Sequence, residues 1–155
     1  MKRLGGVAAA ALCALALAES ASPAIVIGRG IAGVALGMSQ ASVRARLGRP
    51  VRVVHAKNEF GSYTELRYRG YVVDFQGNAI VTAVVTTMAR EKTPAGVGVG
   101  SSWSQVRAKV PGVRCQGVAA LGDCHVGDFL PGKTVTDFFV RQGKVSRVVV
   151  GIVLD

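Results

Sequence analysis

The sequence predicts an α+β chain of two tandem repeats, each a short helical segment followed by an antiparallel meander of about three strands. Three observations predict it. "GVALGMSQASVRARL", from Gly33, lies over "GVGVGSSWSQVRAKV", from Gly96, and self-similarity of this kind marks a repeated unit. Within both copies apolar residues recur four positions apart, as on one face of a helix, and beyond both copies they recur at alternate positions, as in a strand. The resulting division is a signal segment 1–18, an N-terminal segment 19–30, repeat 1 at 31–87, a linker 88–95 and repeat 2 at 96–155.

The chain opens with "MKRLGGVAAAALCALALAES". Lys2 and Arg3 form a positive start, Val7 to Ala18 is apolar but too short to span a bilayer, and Ala16-Leu17-Ala18 resembles a signal cleavage site. Cleavage is expected after Ala18, with Ala24 the alternative. Cys13 follows Leu12 where bacterial lipoproteins carry a small residue, so it is expected to leave with the signal. No later segment is long and apolar enough to cross a membrane, and the expectation is a soluble monomer outside the cytoplasm.

Cys115 and Cys124 then remain. In an oxidising compartment such a pair is expected to form a disulfide. The alternative, a metal held by Cys115, Cys124, His125 and His55, matches no familiar zinc spacing. No metal and no cofactor are therefore expected.

The formal charge is +10 over 155 residues, and losing Lys2 and Arg3 with the signal lowers it by two. Such a balance speaks about partners rather than fold. Outside a cell the available anions are phospholipid head groups, wall polymers and acidic protein faces. The arginines are spread without a dense basic block, which argues against nucleic acid.

Each element has a local reason. Gly33, Val34, Gly37, Ser39, Val43, Arg44 and Ala45 are identical to their partners in the second copy, and Asp74-Phe75 falls on Asp137-Phe138 at the same offset. Ser39 and Ser102 stand where an N-cap hydroxyl accepts free backbone N–H groups, and Gln105 completes an S-x-x-Q capping box. Val43 with Leu47, and Val106 with Val110, share one helix face. Gly48 and Pro50 end the first helix, and Pro111-Gly112 the second. In "YTELRYRGYVVDF" one parity holds Thr64, Leu66 and Tyr68, the other Tyr63, Glu65, Arg67 and Arg69, with a turn at Gly70. Gln76-Gly77-Asn78 and Gln142-Gly143-Lys144 supply turns before valine-rich strands at Ile80 to Thr86 and Val145 to Leu154. The last strand is apolar on both parities from Val148, which predicts a central position or a seam between the repeats. "MAREKTPAG", Met88 to Gly96, reads as the linker. Trp103, in the first turn of the second helix, is expected to pack between units.

Gly28, Gly30 and Gly33 form a GxGxxG pattern. A dinucleotide site needs a helix opening within that motif and an acidic residue about 20 positions on. Here the helix starts after Ser39, and residues 50–58 hold no acid. The glycines are expected to let the chain turn tightly beside the helix.

The pattern Leu36-Gly37-Met38-Ser39, Val43, Leu47-Gly48, Pro50, followed by a meander, resembles that of the SmpA/BamE-like envelope proteins. Its tandem form resembles the beta-lactamase inhibitor proteins. The resemblance spans residues 31–155 and implies exported units whose strands form a concave binding sheet. No inhibitory residue of that family is matched here.

An enzyme is not expected. Only His55 and His125 could act as bases at neutral pH without a large shift, a disulfide would remove Cys124 as a nucleophile, and Asp74 and Asp137 read as equivalent structural positions. Binding is the stronger reading. If Leu66 and Tyr68 face inward, then Tyr63, Glu65, Arg67 and Arg69 face outward, and a buried Phe75 and Phe138 turn Asp74, Asp137 and Phe139 to the same open face. Tyr, Phe and Arg are enriched in interfaces. The expected function is an exported, noncatalytic protein-interaction module of the envelope or medium, in one form a hydrolase inhibitor. The alternative is a basic envelope-associated protein held by anionic lipid or wall polymer, with a small hydrolase behind both.

Overall fold

The computed structural model describes residues 24–155, so the signal segment, its cleavage sites and Cys13 lie outside the described residues. The chain runs β1 (Ile25–Val26), β2 (Gly30–Ile31), β3 (Val34–Ala35), α1 (Gln40–Leu47), β4 (Arg52–Asn58), β5 (Gly61–Tyr68), β6 (Tyr71–Gln76), β7 (Ala83–Thr86), α2 (Trp103–Lys109), β8 (Arg114–Val118), β9 (Leu121–Val126), β10 (Thr134–Arg141) and β11 (Lys144–Ile152).

This corrects the α+β expectation. The described chain is mostly β: strands β4 to β11 form one antiparallel eight-stranded sheet in the order β4-β5-β6-β7-β11-β10-β9-β8, and β1 to β3 form a second sheet of three. Two separate helix-plus-meander units do not describe it. The physical reason is where the apolar surface goes. The helices have eight and seven residues, and each has a single buried residue within its span, Val43 or Val106. The sheet strands supply Leu66, Val73, Phe75, Val84, Phe138, Val140, Val148 and Val150, all almost fully buried. With that much apolar surface on strands, the halves are joined by pairing β7 with β11, Val148 to Gly151 opposite Thr86 to Ala83. β11 thus lies at the centre, which accounts for its apolar residues on both parities.

The helices nonetheless have sound ends. Ser39 Oγ accepts from the Ser42 N–H at 3.2 Å, and α1 closes at Gly48, whose positive φ of 80° suits glycine. Ser102 and Gln105 form the reciprocal capping box at the start of α2. Trp103 is half-buried against the core and lies over β9, where a side chain at Gly122 would strike its ring.

The small sheet explains the glycine motif. Gly30 sits in β2 so close to β3 that a Cβ would lie 2.0 Å from the Val34 carbonyl oxygen, and Gly33 turns between them at φ 76°. β2 packs on β7 and β11, so this sheet covers the seam on the core face. The segment 88–95 is irregular but anchored: Lys92 O accepts from the Ile25 N–H at 3.0 Å, and Glu91 is only 5% exposed.

Candidate functional site: the open face of the large sheet

The face of the eight-stranded sheet turned away from the helices carries one residue from each strand in a continuous row. It runs Arg52, Arg67, Val72, Val85, Val149, Asp137, His125, Arg114. Cations stand at both ends and valines at the centre. The adjacent row is Val54, Glu65, Asp74, Ala83, Gly151, Val135. At its middle Ala83 faces Gly151, two of the smallest residues, and the surface is hollowed there.

Two depressions meet over that pair. One, of about 250 Å³, has apolar walls from Phe129, Val135, Phe139, Val149 and Ile152, with Asp137 among them. The other, of about 270 Å³, is more polar and is lined by Tyr63, Glu65, Asp74 and Gln76 together with Leu154. Ala83 and Ile152 belong to both, so they form one groove across the seam.

The groove's carboxylates are unusual. Burial pushes Asp74 up to about 6, with Glu65 directly opposite adding repulsion and Arg67 relieving part of it. Burial pushes Asp137 up to about 7, with Asp123 raising it further and Arg147 opposing. Arg67 is committed to Glu65, its Nε donating at 2.7 Å. Arg147 instead lies over the Phe139 ring, 3.9 Å from its centroid. Asp137 Oδ1 is buried with no hydrogen-bond partner, an arrangement that costs free energy.

Of the sequence-predicted residues, Tyr63, Glu65, Arg67, Asp74, Asp137 and Phe139 share this face. Arg69 does not. β5 ends at Tyr68, the alternation ends with it, and Arg69 lines a different cavity beside α1. His55 is also elsewhere: its Nδ1 is 2.9 Å from Thr64 Oγ1, on the core-side parity of the edge strand β4. His125 is on the open face, between Asp123 at 3.5 Å and the Arg114 Nε at 3.4 Å, with Phe129 against its ring at 4.8 Å.

Cys115 and Cys124 are disulfide-bonded, which removes them as thiolate metal ligands; they stand directly opposite in β8 and β9. Among the described residues no three His, Cys, Asp or Glu side chains converge on a metal position, and no helix is long and apolar enough to cross a membrane.

Sequence reasoning missed the groove's floor and its far wall. Ala83 and Gly151, small residues inside valine-rich strands, were the available signal for the floor. Phe129 lies outside any strand and gave none.

The chain matches no protein-family model and no curated protein. Two solved structures are similar in fold. One is a DUF4309 family protein, YjgB, from Bacillus subtilis, with a TM-score of 0.53 and 14% identity over 81% of this chain and 88% of that one. The other is an extracellular protein containing a SCP domain from Bacillus anthracis, with a TM-score of 0.51 and 11% identity over 76% of this chain. This chain spans 44% of that second protein's length. At such identities the likeness concerns the fold.

Proposed function

We propose that this chain is a noncatalytic protein-binding module working outside the cytoplasm, and that its partner docks on the open face by seating a lysine or arginine side chain in the groove. The observation that carries the reading is Asp137, which enters no ion pair among the described residues and lines a groove otherwise walled by apolar and aromatic groups. In a chain this basic, Glu65, Asp74 and Asp137 make the groove a local acidic site. A cationic side chain with an aliphatic stem complements both of its properties. Antiparallel strands stand about 4.8 Å apart, which separates Asp74 from Asp137 by roughly 14 Å across the sheet. A partner segment with two basic residues could address both.

The extracytoplasmic setting is supported by the Cys115–Cys124 disulfide, and it is compatible with the extracellular protein of similar fold. The noncatalytic reading is supported by the two histidines being divided between the faces and by Cys124 being consumed in the disulfide.

An NMR titration with two amphipathic peptides of equal apolar content, one lysine-rich and one glutamate-rich, tests the chemistry. The basic peptide is expected to shift the amides of Tyr63, Val85, Phe139 and Val149, with the effect weakened in Asp137→Asn. Equal shifts by both peptides, or none at these residues, would remove the proposal.

A further inference from the structure

A cavity of about 510 Å³ lies away from the open face, where the end of α1, the turn between β5 and β6 and the segment after β7 meet. Arg46, Arg49, Arg69 and Arg90 line it, with Glu91 as the one carboxylate. We infer that this cavity is an anion site for a phosphoryl group, held by the guanidinium groups that line it.

Three features support it. Glu91 is already engaged, accepting from Arg90 Nε at 3.0 Å and from the Tyr71 hydroxyl, so it neutralises only one of the four cations. Among the described residues Arg46, Arg49 and Arg69 take part in no ion pair. Two of the arginines are also set in place by the fold: Arg46 occupies the space a side chain at Gly33 would need, and Arg90 is fixed by Glu91 and Tyr71.

The number of forks favours phosphoryl over carboxylate. One guanidinium satisfies a carboxylate with two parallel bonds, whereas a tetrahedral phosphoryl group presents three or more oxygens to several donors at once. Like-charged side chains around a shared space repel until an anion enters, and this site supplies no second carboxylate.

The site is independent of the open-face groove, and its test keeps the two apart. Inorganic phosphate, glycerol phosphate, and vesicles of phosphatidylglycerol or phosphatidylcholine are titrated into the purified chain at about 0.1 M salt, where long-range attraction is screened. Side-chain NMR signals of the cavity arginines report occupancy. Saturable shifts with phosphate or its ester are expected, and Arg49→Gln with Arg69→Gln is expected to weaken binding about tenfold or more, the scale of one lost charge-assisted contact. Asp137→Asn is expected to leave binding unaltered. Shifts with soluble phosphates alone identify a small anion, and retention on phosphatidylglycerol vesicles that the cavity variants abolish identifies a lipid head group. Shifts no larger than those with chloride, or vesicle binding that the cavity variants leave intact, would overturn the inference.

Discussion

Glu65 and Asp74 stand directly opposite one another in β5 and β6, two carboxylates side by side on the open face of a strongly basic chain. Only Glu65 holds an arginine, Arg67 at 2.7 Å. Asp74 is left to titrate near pH 6, and Asp137, across the seam, near pH 7.

Stability is accordingly expected to fall as pH rises from about 4 to about 8. Both folded-state values lie above the unfolded carboxylate value near 3.9, so the folded chain holds protons that the unfolded chain has released. Their contribution is complete at low pH and is lost as pH passes through 6 and 7. Asp137→Asn removes part of that slope. After allowance for solvent screening, the variant is expected to be more stable than the parent by about 1 kcal/mol at pH 8, with no gain at pH 4. Urea unfolding at both pH values checks it, and a slope unchanged in the variant would place the titration elsewhere.

Binding is expected to move the opposite way. A cationic partner group requires the ionised carboxylates, so affinity should increase between pH 5 and 8 in the parent and stay nearly flat in a chain carrying both Asp74→Asn and Asp137→Asn. Calorimetric titration with the lysine-rich peptide gives the comparison.

Phe138 and Phe139 are neighbours with opposite fates, one fully buried and one on the open face over which Arg147 lies. Phe138→Ala is expected to cost about 3–5 kcal/mol through lost burial and a cavity. Phe139→Ala is expected to cost under about 1 kcal/mol while weakening partner binding. Denaturation midpoints together with peptide titration separate the two effects; equal destabilisation would mean that the open face is structural.

Reduction of Cys115–Cys124 is expected to lower stability by about 2–3 kcal/mol, the value for a loop of this size. The bond joins β8, the sheet's outer strand, to β9. Hydrogen exchange after reduction should therefore rise in β8 and β9 first and leave β7 and β11 protected.

The sequence carried the elements with strong local signals. Serine caps at Ser39 and Ser102 fixed where the helices begin, and alternation placed Asp74 and Asp137 opposite the buried Phe75 and Phe138. It failed where local signals are weak. Arg52–Asn58 and Arg114–Val118 are the two edge strands, largely exposed on both parities, so they lack the burial contrast that marks a strand. Strands of two residues, as in β1 to β3, are too short for any period. The joining of β7 to β11 pairs segments far apart in the chain, and that pairing turned the expected separate units into one sheet. Arg69 was misplaced because alternation was continued one residue beyond the end of β5.

Photo-cross-linking from defined positions reads out which face of the chain meets its partner. A photoreactive residue is placed on the open face at Tyr63 or Phe139, and on the helices at Gln40 or Arg107, and the chain is irradiated in its native setting. A discrete protein adduct is expected from Tyr63 and Phe139, competed by the lysine-rich peptide, and none from the helix positions. Adducts from Gln40 or Arg107 with the open face silent would place the partner on the helices instead.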